Sequence, residues 1–525
     1  MNSEKGRRGM AFWLVATACA IAVIAGVFIG INRLVERRGD LTIPLAVPEG
    51  VVEAFRESTP EAQGFSSRLL AAGIRSIVES GASMHSFMMM RGGAVFLDAY
   101  FPPYDGTVYH KLASVTKSVT ATLVGIAIDE GYLRLDDPVL EYFPERTVSD
   151  PDGRKAGITI RHLLTMTSGL EGDARDAEPQ TLRMRETSDW VQFALDRQLA
   201  REPGTAFVYS NLDMHLLSAL INAATGRSAE EYGREKLFGP LGITDLFWDS
   251  DPQGNSRGWG DLCLLPRDLA KIGLLYMQGG VWHGERIVSQ GWIDESTRRQ
   301  VSLSGSRPED YGYGIWVSNA NEPFRYFIFS GVGGQMLRVY PEFEFIIVTT
   351  GGTFESAIAM EAVGAAFAGP GKAFREDAAG VAELRAVVAP KVAAPAPIPF
   401  ATMPAIAAEI SGKTYRFPDN PLNLATCSFR FDGTAQAAFE FKNHGDANAR
   451  QARVGLDGRY RISLSGLPTY LKGAWIDADS FEMVFNEGPD MEIIPMSFTF
   501  SGGYIEVSVG DASAGGRIIL RGESD

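Results

Sequence analysis

Two groups of strand-like segments stand at opposite ends of one long stretch of this chain. The segment "SFMMMRGGAVFLDAYF" (Ser86–Phe101) reads as two extended runs joined at Gly92-Gly93, which is a hairpin signal. After about Glu295, strand patterns return in "YGYGIWV", "RYFIFSG", "QMLRVY" and "FEFIIVTT", and helical patterns fill the sequence between the two groups. This order predicts an α+β fold in which the first and last segments share one antiparallel sheet, covered by a helix at Glu355–Phe367.

The rest of the chain divides by composition. With 525 residues, and roughly 150 residues per domain, it is too long for one ordinary core. The segment "VVAPKVAAPAPIPFATMP" (Val387–Pro404) has the Pro and Ala content of a semi-rigid linker. Beyond it, short alternating runs such as "FEMVF" and "YIEVSV" predict a small all-β barrel or sandwich. We therefore predict a main domain over 49–375, a linker over 376–405 and a C-terminal β domain over 406–525.

The N-terminal tail, residues 1–48, contains a long uncharged run. "MAFWLVATACAIAVIAGVFIGI" (Met10–Ile31) reaches the ~20 residues that a helix needs to cross a bilayer. It exceeds the h-region of about 7–15 residues of a cleaved signal peptide, and no small-residue cleavage site follows it. Basic residues flank it on both sides, so the positive-inside rule does not fix its orientation. We expect a single transmembrane helix at 10–31.

Charge, cysteine and histidine content argue against several classes of protein. The net charge of −15 at pH 7 disfavours a nucleic-acid partner. The three cysteines, Cys19, Cys263 and Cys427, are widely spaced and form no CxxC pattern, so they indicate neither a disulfide framework nor a zinc site. The six histidines form no HxH or HExxH pattern. We therefore predict that the protein uses no metal and no cofactor.

The segment "KLASVTKSVTATLVGIAIDEG" (Lys111–Gly131) has an apolar helical pattern that begins with a serine and a lysine three residues apart. At a helix start, Ser114 and Lys117 share one face, so the amine could take the hydroxyl proton. That step needs a neutral amine, which burial and the positive end of a helix both favour. The same helix start offers backbone N–H groups to an oxyanion. The commoner alternative for this motif alone is a capping serine with a lysine that snorkels to water.

Two further motifs follow in order along the chain. Tyr209-Ser210-Asn211 lies between a Pro-Gly turn and an amphipathic helix, a position from which a phenol and an amide could reach a cleft. Ser330-Gly331-Val332 follows an apolar strand, and its glycines would let a ligand approach the backbone. Each motif alone is more often ordinary packing, a helix cap or a glycine-rich turn.

A rival nucleophile is Ser256, because "GNSRG" (Gly254–Gly258) satisfies the pattern GxSxG. Asp268 and His283 would complete the α/β-hydrolase order. A nucleophile elbow needs a strand before the serine and a helix after it, whereas this segment has the Asp, Pro and Gly content of a loop. We therefore favour Ser114 over Ser256.

With the three motifs in this order, the sequence resembles the serine β-lactamase-related family. That family includes penicillin-binding proteins, class C-type β-lactamases, and esterases and amidases of the same fold. The segment "RGWGDLCLLPRDLAKIGLLYMQGG" (Arg257–Gly280) is similar to the branch that contains 6-aminohexanoate-dimer hydrolase-like enzymes. The resemblance covers roughly Val51–Pro370 and implies a β-lactamase/transpeptidase-like antiparallel sheet flanked by helices. The C-terminal region resembles the small lipocalin-like domain of some relatives.

The resemblance also implies roles for individual residues. Those that it implies in catalysis are the nucleophile Ser114, the base Lys117, Tyr209 in proton transfer, Asn211 in the hydrogen-bond network, and the backbone N–H groups of Ser114 and Val332 as oxyanion donors. Those that it places beside the substrate are Phe329, Ser330 and Gly331. Phe329 stands where penicillin-processing members carry Lys or His, although Arg325 on the same strand face could supply a cation. Met166 stands where many relatives have a second histidine, and we interpret it as structural.

The implied function is a membrane-anchored serine hydrolase that cleaves an amide, ester or peptide-like small molecule through an acyl ester on Ser114. Its catalytic domain would lie outside the cytoplasm, as in related cell-envelope enzymes, and its C-terminal β domain would supply no catalytic group. One alternative is a true β-lactamase or D-alanyl-D-alanine carboxypeptidase, which the phenylalanine at 329 disfavours. Another is a non-enzymatic penicillin-binding-type sensor, which the intact Ser114, Lys117 and Tyr209 disfavour.

Overall fold

The structure, a computed structural model, describes residues 55–524 except 102–103, 108, 151, 174–177, 304, 306, 353, 370–371, 373, 390–402, 447, 464–468, 488–493 and 511–516. The described residues form two compact units, the first ending before and the second beginning after residues 390–402. The predicted membrane helix at 10–31 lies outside the described residues. Within the described part of the chain, no helix has the length and apolar character needed to cross a bilayer.

The first unit contains thirteen strands and eleven α-helices among its described residues. The strands are β1 (Arg56–Glu57), β2 (Met84–Arg91), β3 (Ala94–Tyr100), β4 (His110–Lys111), β5 (Phe247–Trp248), β6 (Leu262–Leu264), β7 (Val281–Trp282), β8 (Glu285–Arg286), β9 (Glu309–Tyr311), β10 (Trp316–Ser318), β11 (Phe327–Gly331), β12 (Gln335–Tyr340) and β13 (Phe345–Gly351). The helices are α1 (Ser67–Glu79), α2 (Val115–Asp129), α3 (Ile160–Leu164), α4 (Pro179–Arg185), α5 (Trp190–Leu195), α6 (Asn211–Thr225), α7 (Ala229–Gly233), α8 (Pro266–Met277), α9 (Gln290–Ser296), α10 (Ser356–Ala366) and α11 (Ala378–Val388). Shorter helical turns lie at Glu61–Gln63, Val139–Tyr142, Arg154–Gly157, Arg234–Phe238, Val332–Gly334 and Pro341–Phe343.

The main sheet has eight strands in the order β1-β3-β2-β13-β12-β11-β10-β9. The β2–β3 hairpin turns at Gly92-Gly93, whose φ values of 54° and 72° suit glycine. β2 pairs antiparallel with β13, so that Met89 lies opposite Ile347. The predicted shared antiparallel sheet is therefore confirmed, and α10 forms within the helix predicted at 355–367.

The two faces of this sheet are buried in different apolar cores. On β11, Phe327 and Phe329 belong to one core, while Ile328 belongs to the other, as the alternation of side chains along a strand requires. Helix α2 runs through the first core with 13 of its 15 residues buried. Its short hydroxyls are hydrogen-bonded, since Ser118 donates to the Gly314 carbonyl at 2.6 Å and Thr120 to the Gly258 carbonyl at 2.8 Å.

Helix α11 lies inside the segment predicted as a linker at 376–405. Asp377 caps it by accepting from the Gly380 N–H at 2.8 Å, and the same carboxylate pairs with Arg68 of α1 at 2.6 Å. Leu384 is buried in the second core of the sheet. The main domain therefore extends to Val388, because an Ala-rich run with a capping aspartate forms a packed helix.

The second unit is a small all-β domain, as predicted. Its elements are α12 (Ala405–Ile410), β14 (Thr414–Arg416), β15 (Leu424–Phe431), β16 (Gln436–Asn443), β17 (Arg450–Gly455), β18 (Arg461–Ser463), β19 (Thr469–Trp475), β20 (Ser480–Glu487), β21 (Ile494–Ser501), β22 (Tyr504–Val509) and β23 (Ile518–Ser524). Nine strands, in the order β17-β16-β15-β14-β23-β22-β21-β20-β19, close into a barrel through a β17–β19 pairing, and β18 adds to β19. Aromatic rings fill its interior, with Phe429 at 4.7 Å from Phe439 and 4.9 Å from Phe498 between ring centroids.

Candidate active site

Ser114 stands at the junction between strand β4 and helix α2. The residue before it, Ala113, has a φ of 48°, a left-handed conformation that a non-glycine residue seldom adopts. Ser114 itself is helical and occupies the N-cap position, but its side chain makes no capping bond to any described backbone group. The alternative in which Ser114 merely caps the helix is therefore wrong for this structure. Its hydroxyl bonds with Lys117 instead.

The Lys117 side chain is buried, with 2% of its surface exposed, so the snorkelling alternative is also wrong. Its Nζ donates to Ser114 Oγ at 2.8 Å and to the Trp259 carbonyl at 3.0 Å. Both acceptors are neutral groups. This geometry holds the amine against the hydroxyl, at the distance that proton transfer between them requires.

Tyr209 is the second side chain, after Ser114, that lies against the Lys117 amine. Its ring centroid lies 4.8 Å from Lys117 Nζ, and its ring stacks on Trp316 with the centroids 6.1 Å apart. The Tyr209 loop is fixed from both sides. Val208 donates to the Met166 carbonyl at 2.9 Å, and Ser210 caps α6 by accepting from the Asp213 N–H at 3.0 Å.

The end of strand β11 lies beside the turn that carries Ser114. A Cβ on Gly331 would lie 2.6 Å from the Leu112 carbonyl oxygen, so only glycine permits this approach. Ser330 is exposed next to it, and Val332 is 68% exposed. The strand end and the start of α2 thus form the two sides of one surface site. The role of the Val332 N–H as a second oxyanion donor stays a prediction.

Residues 71–358 match the sequence profile of the Beta-lactamase family. The chain belongs to this family. It is a serine hydrolase of that fold, and the serine–lysine pair at the start of α2 is the arrangement that the family motif requires.

Three proteins to which this β-lactamase-family chain is similar cover different shares of its length. A 6-aminohexanoate-dimer hydrolase of Paenarthrobacter ureafaciens is 28% identical over 283 residues, which cover 50% of this chain and 71% of that enzyme. A beta-lactamase of Escherichia coli (strain K12) is 32% identical over 160 residues, which cover 30% of this chain and 40% of that protein. The solved structure of a "Putative 6-aminohexanoate-dimer hydrolase from Bacillus anthracis" superposes with a TM-score of 0.52 at 17% identity, covering 60% of this chain and 87% of that one, which shows a shared fold.

Asn211 begins helix α6, two residues after Tyr209, and no hydrogen bond to Ser114 or Lys117 is among its described contacts. It is fully buried as the first residue of α6, and its Nδ2 donates to Thr181 Oγ1 at 3.0 Å. Thr181 in turn donates to Asp173 at 2.5 Å, and Asn211 Oδ1 has no hydrogen-bond partner among the described residues. The described contacts tie Asn211 to helix α4, and its role in the hydrogen-bond network around Ser114 stays a prediction.

The prediction that Phe329 faces the substrate is wrong. Its side chain is fully buried and packs edge-to-face on Tyr276, with ring centroids 5.3 Å apart. Side chains alternate between the two faces along a strand, so Phe329 points into the first core while its neighbour Ser330 points the other way and is exposed. Arg325 is exposed and precedes β11 by two residues, so the strand does not place its cation beside Phe329.

The three members of the rival triad have separate contacts. Ser256 is 1% exposed, and its Oγ accepts from the Glu230 N–H at 2.9 Å. Asp268 pairs with Lys271 at 2.7 Å at the start of α8. His283 lies exposed in the β7–β8 turn. The prediction that Ser114 is the better nucleophile agrees with this geometry.

Met166 is fully buried in the first core with a φ of 54°, in agreement with its interpretation as structural.

Two groups of the site were not predicted from the sequence: the Trp259 carbonyl, which accepts from Lys117, and the Trp316 ring, which stacks on Tyr209. The glycines on either side of Trp259 are the signal that could have drawn attention to that backbone. Asp213, a fully buried carboxyl near the Tyr209 loop, was not predicted either. Burial raises its pKa to about 7, although Ser168 and Ser210 donate hydrogen bonds to it.

Proposed function

We propose that this protein cleaves amide or ester bonds of small molecules through an acyl ester on Ser114. The observation that carries the proposal is the 2.8 Å contact between the buried Lys117 Nζ and the partly buried Ser114 Oγ. As a free amine, Lys117 takes the hydroxyl proton while Oγ attacks the substrate carbonyl. The leaving group departs with a proton supplied from Lys117 or Tyr209. Water then hydrolyses the ester and restores Ser114.

Two features support stabilisation of the tetrahedral intermediate. The Ser114 N–H lies at the start of α2, where backbone donors have no partner within the helix. The β11 end brings the Val332 segment to the other side of the site through the close approach at Gly331. A preorganised donor of this kind is worth about 3 kcal/mol in the transition state. We assign the two N–H groups this role.

The relatives support the bond class. One of them is named for the hydrolysis of the 6-aminohexanoate dimer, which contains an amide bond, and it shares 71% of its length with this chain. An amide or ester of modest size is therefore the substrate class that we propose. The narrower identity of the substrate depends on the loops around Ser330 and Trp316.

Labelling with a fluorophosphonate probe, followed by mass spectrometry of the peptides, tests the proposed nucleophile. We expect the label on the peptide that contains Ser114. Ser114→Ala should abolish labelling, while Ser256→Ala, in which a buried loop serine is changed, should keep it. A label on the Ser256 peptide, or undiminished labelling of Ser114→Ala, would show that the proposed chemistry is wrong.

A second candidate function is β-lactam hydrolysis, favoured by the 32% identity to the Escherichia coli beta-lactamase. The strand position that carries Lys or His in penicillin-processing relatives holds the buried Phe329 here. A charge-assisted hydrogen bond to a substrate carboxylate is worth roughly 1.5–3 kcal/mol, or about one to two orders of magnitude in rate. We therefore expect steady hydrolysis of p-nitrophenyl butyrate and weak turnover of nitrocefin, each corrected by the Ser114→Ala background. Nitrocefin turnover as efficient as that of the ester would favour the β-lactamase function.

We also propose that residues 10–31 anchor the protein in the cell membrane with the catalytic unit outside the cytoplasm. The support is the length and uncharged character of that run. Fractionation should find the full-length protein in the carbonate-washed membrane pellet, and its recovery in the soluble fraction would contradict the anchor.

A further inference from the structure

A buried ion cluster surrounds the turn Arg257–Asp261. The Arg257 guanidinium contacts Asp249 and Asp261, each at 2.7 Å, and Asp261 also pairs with Lys111 at 3.1 Å. Only 9% of the Arg257 side chain and 19% of the Asp261 side chain are exposed. Burial alone would raise the pKa of Asp261, but the cations of Lys111, Arg257 and Arg185 hold it below its ordinary value. The carboxylate is therefore ionised at neutral pH.

The ion pair closes a tight turn that has Trp259 at its centre. The Gly260 N–H donates to the Arg257 carbonyl at 3.3 Å, and the side chains at the two ends of the turn meet across it. Asp261 has a φ of 66°, a left-handed conformation that a residue other than glycine keeps only when its surroundings hold it. The turn presents the Trp259 carbonyl to Lys117 Nζ at 3.0 Å.

The Asp261 carboxylate is also linked, through Lys111, to the segment that carries Ser114. Lys111 belongs to β4, the strand that ends three residues before Ser114. β4 pairs with β6, the strand that begins just after Asp261, and the Leu112 N–H donates to the Leu262 carbonyl at 2.9 Å. Asp261 is thus linked on one side to the segment that carries Ser114 and on the other to the carbonyl that holds Lys117.

We propose that Asp261 is a positioning residue that sets the serine–lysine geometry. Through Arg257 it fixes the turn that aims the Trp259 carbonyl at the Lys117 amine, and through Lys111 it fixes the approach of the chain to Ser114. This inference rests on the proposed acyl-enzyme function. Without the carboxylate, the amine is no longer held against the hydroxyl, while the groups that bind substrate at the β11 end are unchanged. The loss should therefore fall on kcat and not on KM.

Two variants at this position and one matched control test the proposal. Asp261→Asn removes the charge, and Asp261→Gly removes it while suiting the left-handed φ, so the second should fold even if the first does not. In p-nitrophenyl butyrate hydrolysis, both should lower kcat by about 10- to 100-fold, with KM within about twofold, since small misplacements of reacting groups have effects of this size. Asp268→Asn, which removes another buried carboxylate paired with a lysine, should keep the wild-type kcat.

Conservative replacement gives a second readout. Arg257→Lys keeps a cation for Asp261 and should retain several-fold more activity than Arg257→Met. The proposal is overturned if folded Asp261→Gly has the wild-type kcat, if Asp268→Asn loses as much, or if the change lies in KM. An inactive Ser114→Ala beside a fully active Asp261→Gly would reject only the positioning role, whereas an active Ser114→Ala would reject the proposed function itself.

Discussion

Lys117→Met is expected to lower kcat by about 10³–10⁴-fold while leaving the protein folded. Methionine has nearly the same length as lysine and is apolar, so it can occupy the buried position of Lys117 beside the Trp259 backbone and the Tyr209 ring. The variant loses the amine that contacts Ser114 Oγ, and with it the proposed general base. General-base catalysis and nucleophile activation together account for losses of this size.

The chain offers a matched control for this experiment in Lys155. Its side chain is also buried, and its Nζ donates to the Ser149 and Leu195 carbonyls at 2.5 and 2.7 Å. Lys155→Met therefore removes a buried amine of similar surroundings that has no contact with Ser114. Both variants should show reduced thermal stability, but only Lys117→Met should lose esterase activity and fluorophosphonate labelling. Lys117→Met with activity within tenfold of wild type would contradict the role of Lys117.

Gly258→Ala is expected to destabilise the first unit by about 3 kcal/mol or more. A Cβ at this position would lie 2.0 Å from the Met214 carbonyl oxygen and 3.0 Å from the Ser218 Cβ, both on helix α6. A helix backbone cannot yield as the end of a flexible side chain can, so the loop or the helix must shift. The Gly258 carbonyl also accepts a hydrogen bond from Thr120 of α2, so the displacement would also disturb α2, the helix that carries Lys117.

Gly260→Ala is the comparison for this change. It adds the same methyl group two residues later, where the nearest atom, the Ala113 carbonyl oxygen, is 4.0 Å away. Its free energy of unfolding in urea should stay within about 1 kcal/mol of wild type, as expected for an unstrained substitution. Equal stability of the Gly258→Ala and Gly260→Ala proteins would show that α6 and the loop do not approach as closely as described.

The elements with strong local signals could be predicted from the sequence. The hairpin around Gly92-Gly93 has the turn chemistry that such a hairpin needs, and the runs after about Glu295 are rich in the β-branched and aromatic residues typical of strands. Ser114 and Lys117 could be predicted because their contact depends only on helix geometry, which places residues three apart on one face. Tyr209 followed from the resemblance, and the structure brings its ring to the amine.

Other features depend on contacts between distant segments. Whether the Phe329 side chain packs in a core or lines the site depends on which segments cover its face of β11, and alternation along the strand does not reveal this. The contribution of Trp259 comes from its backbone carbonyl, which the identity of a side chain does not reveal. Asn211 is directed to Thr181 by the packing of α4 against α6. The Ala and Pro content of 376–405 predicts a linker, whereas α11 forms there because Asp377 caps it and Leu384 packs in the second core.

The pairing of β2 with β13 has a consequence for how this protein is made. Met89 meets Ile347 only after nearly the whole of the first unit has been synthesised, so the central strands of the sheet must close a very long loop of chain. Contacts of such sequence separation form slowly, and chains that await them expose apolar strand edges. During synthesis, the helix with Ser114 and Lys117 leaves the ribosome long before β11 can supply Gly331 and Val332. The nascent chain would therefore carry the proposed nucleophile without the β11 side of the proposed site, and we expect hydrolysis to begin only after the last strands of the sheet have formed.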